Sequence, residues 1–215
     1  MSQLEQELGA EIQNPPARHL PDLQHVRPPS PPISVSPEWK GLAHDILAWH
    51  ISTSILEMRH PAAKSSYPED EHKISATHLS RYCAYLVGYR AELLPCDEEW
   101  CKSLYAEVTK SADRVLSPCP GAAADYEQLL KLLGAENNHE VLKDGARLAR
   151  QLVDSDTGWD ALACFWAEMI VYVAPSEKLD GHAEAIARGG ELITLLWAML
   201  AHAGIVDRHA AGSRC

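Results

Sequence analysis

The stretch "IARGGELITLLWAMLAHAGIV", residues 186–206, decides the fold class of this chain. Two adjacent glycines, Gly189 and Gly190, precede an apolar run over residues 192–201 that only Thr194 interrupts. Such a run can span a membrane, follow a phosphate-binding loop, or form a central helix of a soluble core. The first two possibilities make demands on length and on flanking residues that the sequence can test.

The run meets neither demand. A transmembrane helix needs about 20 mostly apolar residues, whereas Glu191 and His202 bracket this run closely. A phosphate loop needs a Gly-x4-Gly-Lys-Ser/Thr pattern, and a dinucleotide fingerprint needs a strand before its glycines. We therefore expect no transmembrane segment here. We expect a helix that is buried on nearly all sides, with paired glycines that let it lie close to another backbone.

Helical periodicity also governs the rest of the chain. From about Glu38 onward, apolar residues recur at three- and four-residue spacing, and loops that contain proline or glycine separate the periodic segments. No segment shows the sustained two-residue alternation of a half-buried strand. The sequence therefore predicts an all-α fold. We expect a single globular helical domain of about seven helices over residues 38–206, followed by a disordered C-terminal tail at 207–215.

Residues 1–37 differ in composition, because eight of the 14 prolines lie there. Proline removes a backbone donor and fixes φ, so this segment is not expected in a helix or a central strand. We expect a disordered, proline-rich tail. Ser30 and Ser36 each precede a proline and are candidate sites for proline-directed kinases.

The charge of the chain limits its partners. Thirty acidic residues against 19 basic ones give a net charge of −11, and such a surface repels the phosphate backbone of nucleic acids. The first 14 residues are acidic and lack the apolar core of a signal peptide. We therefore expect no nucleic-acid partner and a cytoplasmic location with reduced thiols.

Five segments occur in the order that is typical of one family. The chain resembles the plant domain of unknown function 594 over about residues 38–206; the segments that carry the resemblance are 45–57, 74–87, 141–152, 159–174 and 182–205. The resemblance implies a plant protein. Relatives usually carry this domain behind a membrane-embedded N-terminal region, whereas a proline-rich segment precedes it here. We therefore expect membrane association only through a partner, and the resemblance implies no catalytic residue.

The histidines do not show the spacing of a metal site. His44 and His50 are six residues apart, and no His-Glu-x-x-His pattern is present. His50 and His202 lie on or beside apolar faces, where a hydrogen-bonded core histidine is more common than a ligand. The alternative, in which the fold brings them together with a carboxylate, stays open at this point.

The cysteines show no zinc pattern either. Cys96 and Cys101 are separated by four residues, with Cys119 further along, whereas structural zinc sites use four ligands in close pairs. We expect unconnected thiols around the start of a helix. The sequence predicts neither a metal nor another cofactor.

Two carboxylates are candidates for acid–base chemistry, Glu168 beside Trp166 and Glu191 ahead of the apolar run. Acid–base work needs carboxyl groups whose surroundings separate their pKa values. We favour an ion pair for each, because an unpaired buried charge is costly. The candidate arginine partners are Arg81, Arg147 and Arg188.

Two short motifs are candidates for partner binding. An aromatic residue followed three positions later by Leu, Ile or Val, near acids, is the pattern that autophagy ubiquitin-like proteins bind as an added strand. Trp39 and Leu42 follow the proline-rich segment, and Trp159 and Leu162 follow the acidic "DSDTG". Other windows of this kind fall inside predicted helices.

The sequence therefore predicts a non-enzymatic protein–protein interaction module or adapter in a plant cell. Its partner is another protein, either a membrane-bound relative or an autophagy ubiquitin-like protein. The alternative is an unrecognised enzyme that uses a metal or acid–base groups in a helical pocket.

Overall fold

Eight α-helices and one short 3-10 turn form most of the described chain. The computed structural model describes residues 25–26, 28–32, 40–59, 67–117 and 126–208. The 3-10 turn at Ala91–Leu93 precedes α3. The helices are α1 (Leu42–Arg59), α2 (Tyr67–Tyr89), α3 (Glu98–Leu116), α4 (Tyr126–Leu133), α5 (Glu140–Asp154), α6 (Trp159–Val173), α7 (Leu179–Ala187) and α8 (Leu192–His202).

Helix α1 lies at the centre of the bundle. It packs most extensively against α5 and also against α2, and α2 packs in turn against α6. Helices α3 and α4 contact each other and complete the bundle around α1. Every residue from Ala43 to Trp49 is buried. A helix that is surrounded in this way must be apolar on all faces or satisfy its polar groups internally.

An aromatic cluster joins α1 to α6. The rings of Trp49 and Phe165 lie 4.5 Å apart, centroid to centroid, and Phe165 meets Trp166 edge to face at 5.4 Å. The indole of Trp166 donates to Thr53 Oγ1 at 3.1 Å. The Thr53 hydroxyl itself donates to the carbonyl of Trp49 at 2.8 Å. The buried polar atoms of this cluster are therefore paired, as their burial requires.

Helices α1 and α5 approach closely at a glycine. A Cβ atom on Gly145 would lie 2.6 Å from Cγ2 of Ile51 and 3.1 Å from the carbonyl oxygen of Ala48. No side chain fits this space without movement of α1 or α5. The segment "VLKDGARLARQL" thus carries a glycine inside a helix because two backbones meet there.

The closing apolar run differs from the prediction in two respects. The run lies in α8, and the single closing helix that was expected is divided into α7 and α8, since Gly189 (φ 108°) and Gly190 (φ 85°) adopt left-handed backbone conformations. No atom lies within 4 Å of a Cβ built on either glycine, so the expected close approach to another backbone is wrong. These glycines end α7, where the amide of Gly190 donates to the carbonyl of Ala185 at 2.8 Å. The break explains eight α-helices where the sequence predicts about seven.

Helix α8 is also less buried than predicted. Only Ile193 and Thr194 are fully buried among its residues, because the helix packs against the domain on one side. The helix that is buried on nearly all sides is α1. The all-α prediction itself is confirmed.

A two-residue pairing closes the domain. Strand β1 (His25–Val26) lies parallel to β2 (Asp207–Arg208), with His25 opposite Asp207. Shortly after β1, the amide of Ser30 donates to Glu168 Oε2 on α6 at 2.8 Å. Ser36 and the rest of the predicted tails lie outside the described residues. None of the helices in the described ranges has both the length and the apolar composition needed to cross a bilayer.

The close approach at Gly145 predicts a destabilised Gly145→Ala variant. Alanine improves intrinsic helix propensity by about 1 kcal/mol, but its methyl group would overlap Ile51. We expect a net loss of about 2 kcal/mol in the free energy of unfolding, measured by urea denaturation. The exposed Arg150→Ala variant on the same helix is the control and should stay within about 0.5 kcal/mol. A neutral or stabilised Gly145→Ala protein would contradict the packing described here.

Candidate functional site

A polar network on α2 anchors the start of α8. The carboxylate of Glu191 accepts hydrogen bonds from the hydroxyls of Tyr82 at 3.3 Å and Tyr85 at 3.2 Å. Its Oε1 also lies 3.4 Å from Nη1 of Arg90. Tyr82 in turn accepts from the amide of Ile193 at 3.1 Å. This amide is one of the donors that a helix N-terminus leaves without an intrahelical partner.

The same network explains how Tyr82 stays protonated. Burial of its hydroxyl is the main cause that raises the pKa of Tyr82 to about 12, and the neighbouring Glu191 charge acts in the same direction. The phenol therefore remains a donor to Glu191 across the physiological range. The predicted ion pair of Glu191 is present, although its partner is Arg90 rather than Arg81, Arg147 or Arg188.

The inner face of α8 packs on a buried histidine of α7. His182 has no exposed surface, and its Nδ1 lies 3.1 Å from Oγ1 of Thr194. The imidazole stacks on the Trp197 ring with centroids 4.4 Å apart and planes inclined by 8°. Trp197 donates to the carbonyl of Ser176 at 3.0 Å. Desolvation lowers the pKa of His182, so the contact is made by a neutral ring.

The outer face of α8 carries an apolar stripe that no described residue covers. We define the stripe as Leu192, Leu195 and Met199, whose exposed fractions are 46%, 59% and 61%. Their spacing of three and four residues places them on one side of the helix. Ile186 and Val206, each 58% exposed, lie just before and after α8. A cluster of large exposed apolar side chains is typical of an interaction surface.

The surroundings of the stripe are acidic. Residues 151–205 contain eight acidic and two basic side chains, and residues 192–201 contain none of either kind. One basic residue, Arg188, pairs with Glu184 and Glu92. The stripe is therefore an uncharged apolar surface within a segment of net negative charge.

Comparison with protein families identifies this part of the chain. Residues 151–205 match the model of the family described as "Protein of unknown function, DUF594". Over this segment the chain is therefore similar to the DUF594 family. Searches among curated proteins and among solved structures found no match.

The DUF594 match contains the whole candidate surface. It begins at Gln151 near the end of α5 and ends at Ile205, after α8. It therefore includes the stripe, Glu191 and the stacked pair of His182 and Trp197. The residues on α2 that anchor α8 lie outside the matched segment.

The structure separates the histidines that the sequence raised as metal or acid–base candidates. His50 Nδ1 lies 2.9 Å from Oγ of Ser80 and bridges α1 to α2, so the expected hydrogen-bonded core histidine is confirmed. His202 is exposed at the end of α8. No group of three or more side chains that could hold a metal ion is found in the ranges that the structure describes.

The remaining acid–base candidate, Glu168, has a different partner from the one expected. Its carboxylate accepts from the backbone of Ser30, and the arginines proposed for it pair elsewhere. Arg81 binds Glu57 at 2.7 Å, and Arg147 binds Asp144 at 2.8 Å. Glu168 thus ties the segment after β1 to α6.

A charge cluster around the buried side chain of Asp144, which the sequence did not reveal, connects α1 to α5. Asp144 binds Lys40 through Oδ2 at 2.9 Å and Arg147 through Oδ1 at 2.8 Å. His44 lies between two carboxylates, 3.4 Å from Asp45 and 3.4 Å from Asp144. Asp144 also borders a solvent-open groove of about 640 Å³ between α4 and α5. Both oxygens of Asp144 are engaged by cations, which is the arrangement of a structural ion pair.

The two cysteines at the start of α3 are free thiols, as expected, but their sulfur atoms lie in contact. Cys96 Sγ lies 2.8 Å from Cys101 Sγ. Their spacing of five positions gives no helical signal, because Cys96 lies before α3 and Cys101 in its first turns. Cys119 lies outside the described residues.

The predicted partner motifs lie in different settings. Trp39 is outside the described residues, and Leu42 is the half-buried first residue of α1. Trp159 begins α6 with Lys73 Nζ 5.7 Å from its ring centroid, and Leu162 is 1% exposed. A protein that binds a peptide as an additional strand of its own sheet requires that peptide to be extended, whereas Trp159 and Leu162 are helical here. Partner binding through these residues stays a prediction.

The Tyr82 contact predicts that removal of one hydroxyl loosens α8. Tyr82→Phe leaves the Ile193 amide without its acceptor, and we expect a loss of about 1–2 kcal/mol in the free energy of unfolding. Tyr85→Phe also removes a bond to Glu191 but leaves the amide paired, so it should cost less than about 0.5 kcal/mol. Urea denaturation measures both. Equal losses for the two variants would refute the special role of the amide contact.

The partly buried His50 of α1 predicts a pH dependence. Burial, followed by the charge of Arg81, lowers the pKa of His50 to about 4 in the folded state from 6.5. Between these pH values the unfolded chain binds a proton that the folded chain does not. Acidification through this window therefore destabilises the folded state, by up to about 3 kcal/mol at the lower end.

A variant isolates this contribution. In His50→Gln the amide can still reach Ser80 but does not titrate, so the difference in unfolding free energy between pH 7 and pH 4 should shrink relative to wild type. The exposed His202→Gln variant should retain the wild-type difference. Urea denaturation at several pH values gives the comparison, and an unchanged slope in His50→Gln would contradict the neutral state of His50.

Proposed function

We propose that this protein is a non-enzymatic interaction module in the plant cytoplasm. Its stripe of Leu192, Leu195 and Met199 binds an amphipathic helix of another protein, one that carries basic residues beside its apolar face. The observation that supports this proposal is the exposure of three large apolar side chains on one face of an anchored helix. Helix-in-groove recognition reads apolar residues at this spacing.

The anchoring of α8 favours binding over a merely frayed terminus. Glu191, Tyr82 and Arg90 hold its first turn, and the stacked pair of His182 and Trp197 holds its inner face. The stripe is thus presented in one orientation before a partner arrives. A surface that is already ordered loses less conformational entropy on binding.

The acidic surroundings specify the charge of the partner. A basic helix is attracted to the net negative segment around the stripe, which raises its association rate and fixes its orientation. A second copy of this chain would bring the same acidic surroundings against themselves. An anionic lipid surface would be repelled for the same reason. Charge complementarity therefore favours a basic helix of another protein.

Two candidate partners for the adapter role are suggested by the sequence. An autophagy ubiquitin-like protein would bind the Trp39–Leu42 window, which follows the proline-rich segment. A membrane-bound relative would supply the basic helix and bring this protein to a membrane. The enzyme alternative stays a prediction, and elemental analysis for stoichiometric zinc or iron addresses it directly.

A synthetic helix tests the proposed binding. The probe is a fluorescent amphipathic peptide of leucine and lysine, about 18 residues long, or five helical turns. The matched peptide replaces every lysine with glutamate. We expect the lysine peptide to bind wild-type protein, with an affinity that falls as salt screens the charges. The glutamate peptide should bind at least about tenfold more weakly.

Variants locate the binding surface. Leu195→Gln combined with Met199→Gln removes two apolar contacts and should weaken lysine-peptide binding by at least about tenfold, since each buried side chain contributes about 1–2 kcal/mol. Met58→Gln, at an equally exposed site on α1, is the control. Fluorescence anisotropy measures both, and urea midpoints verify folding. Unchanged binding by the double variant, or equal binding of the two peptides, overturns the proposal.

A further inference from the structure

The sulfur atoms of Cys96 and Cys101 lie in direct contact. Their separation is 2.8 Å, whereas a disulfide bond is about 2.05 Å long. The two atoms therefore need to approach by less than about 1 Å to bond. The structure has them as separate thiols. Cys96 is partly exposed in the loop between the 3-10 turn and α3, and Cys101 is buried.

The helix cap creates this contact. Asp97 is the N-cap of α3, where its side chain accepts from the amide of Trp100 at 2.7 Å. Its carbonyl accepts from the amide of Cys101 at 3.1 Å. The cap thus fixes the first turn of α3 while Cys96 still belongs to the loop. The thiols of Cys96 and Cys101, which lie on either side of Asp97 in sequence, are in contact.

The electrostatic setting favours the thiolate form of Cys101. The hydrogen bond from Cys96 is the main cause that lowers the pKa of Cys101, and the charge of Lys178 adds to it, while burial opposes both. Lys178 Nζ donates to the carbonyl of Cys96 at 2.5 Å. The N-terminus of α3 supplies further positive potential. By contrast, burial alone raises the pKa of Cys83 to about 12.

We propose that Cys96 and Cys101 form a reversible oxidation site. A peroxide oxidises the two thiols to an intramolecular disulfide. The partly exposed Cys96 sulfur attacks one peroxide oxygen. An S–O bond forms, the O–O bond breaks, and the leaving oxygen departs as water after it takes a proton. The Cys101 thiolate then attacks the Cys96 sulfenic acid. The S–S bond forms, the S–O bond breaks, and the departing hydroxide takes up the proton that the Cys101 thiol released on ionisation, which gives the second water.

The balance closes with one peroxide for each disulfide. Two thiols lose two electrons and two protons, and hydrogen peroxide gains them to yield two water molecules. A small thiol such as glutathione reverses the reaction by exchange through a mixed disulfide. The oxidised pair would join the loop to α3 covalently at the place where Lys178 connects that loop to the start of α7 in the DUF594 segment. The site is independent of the proposed partner helix.

A single tryptic peptide reports the reaction. Residues 91–102, between Arg90 and the cleavage site after Lys102, contain both cysteines and no other. The reduced full-length protein is treated with one equivalent of hydrogen peroxide, alkylated, digested and analysed by mass spectrometry. We expect this peptide to lose about 2 Da and to accept no alkyl group. Dithiothreitol treatment should restore two alkylatable thiols.

Control experiments distinguish oxidation that the fold promotes at this pair from unspecific oxidation of any thiol. Oxidation should be at least about tenfold faster in the folded protein than in the same chain in denaturing urea, because folding holds the sulfurs in contact. Cys164→Ser removes an exposed cysteine on α6 and should leave the reaction unchanged, whereas Cys101→Ser should abolish the loss of 2 Da. Lys178→Gln should slow the reaction on the order of threefold.

Four results would overturn the proposal. The peptide of residues 91–102 could stay fully alkylatable while other cysteines are oxidised. Cys96 could pair with a cysteine outside this peptide, or be oxidised beyond the sulfenic acid without disulfide formation. Equal rates in folded and unfolded chains would show that the fold does not prepare the site. The rate comparison uses wild-type protein alone, so it does not depend on the folding of a variant.

Discussion

The close contact of α5 with α1 at Gly145 sets the geometry on which the rest of the bundle depends. Helix α1 is buried along its first two turns, and its neighbours cannot shift without a change in this contact. The spacing that Gly145 allows brings Lys40 and His44 within reach of Asp144. The contact of His44 with Asp144 is therefore a consequence of backbone proximity, since neither of these side chains is long enough to cross a wider gap.

Two polar contacts each join a histidine on one helix to a hydroxyl on a neighbouring helix. His50 bonds to Ser80 between α1 and α2, and His182 bonds to Thr194 between α7 and α8. In both cases desolvation favours the neutral ring. Such pairs specify which helices are neighbours, since a shift in register would leave both partners unpaired.

The sequence predicts the helical class and most element boundaries, because a three- to four-residue apolar period and proline or glycine breaks are local signals. It does not predict which helix is central. The most apolar run, in α8, is half exposed, whereas α1, with two histidines and several hydroxyls, is the most buried. Hydropathy reports the cost of exposing a residue to water, and it does not record the number of neighbours that the fold supplies. The positive φ angles at Gly189 and Gly190 explain the exposure of α8, since the break before this helix leaves it to pack on one side only.

The candidate surfaces were harder to predict for the same reason. Leu192, Leu195 and Met199 have the spacing of a helix face, yet nothing local indicates that this face points outward. Glu191 was predicted to pair with an arginine, but Arg90 lies about a hundred positions away in sequence, so its identity required the fold. Cys96 and Cys101 meet only because Asp97 caps a helix between them. A cap signal next to a pair of cysteines is the feature that sequence reasoning could have used.

The pairing of β1 with β2 has a mechanical consequence. Because the strands are parallel, the chain enters the pair at one end and leaves it at the other. A force applied between the N-terminal and C-terminal segments would load the few hydrogen bonds of this pair in shear before it reached any helix. The force at which the β1–β2 pair breaks would therefore decide whether the helical bundle bears any of the applied tension.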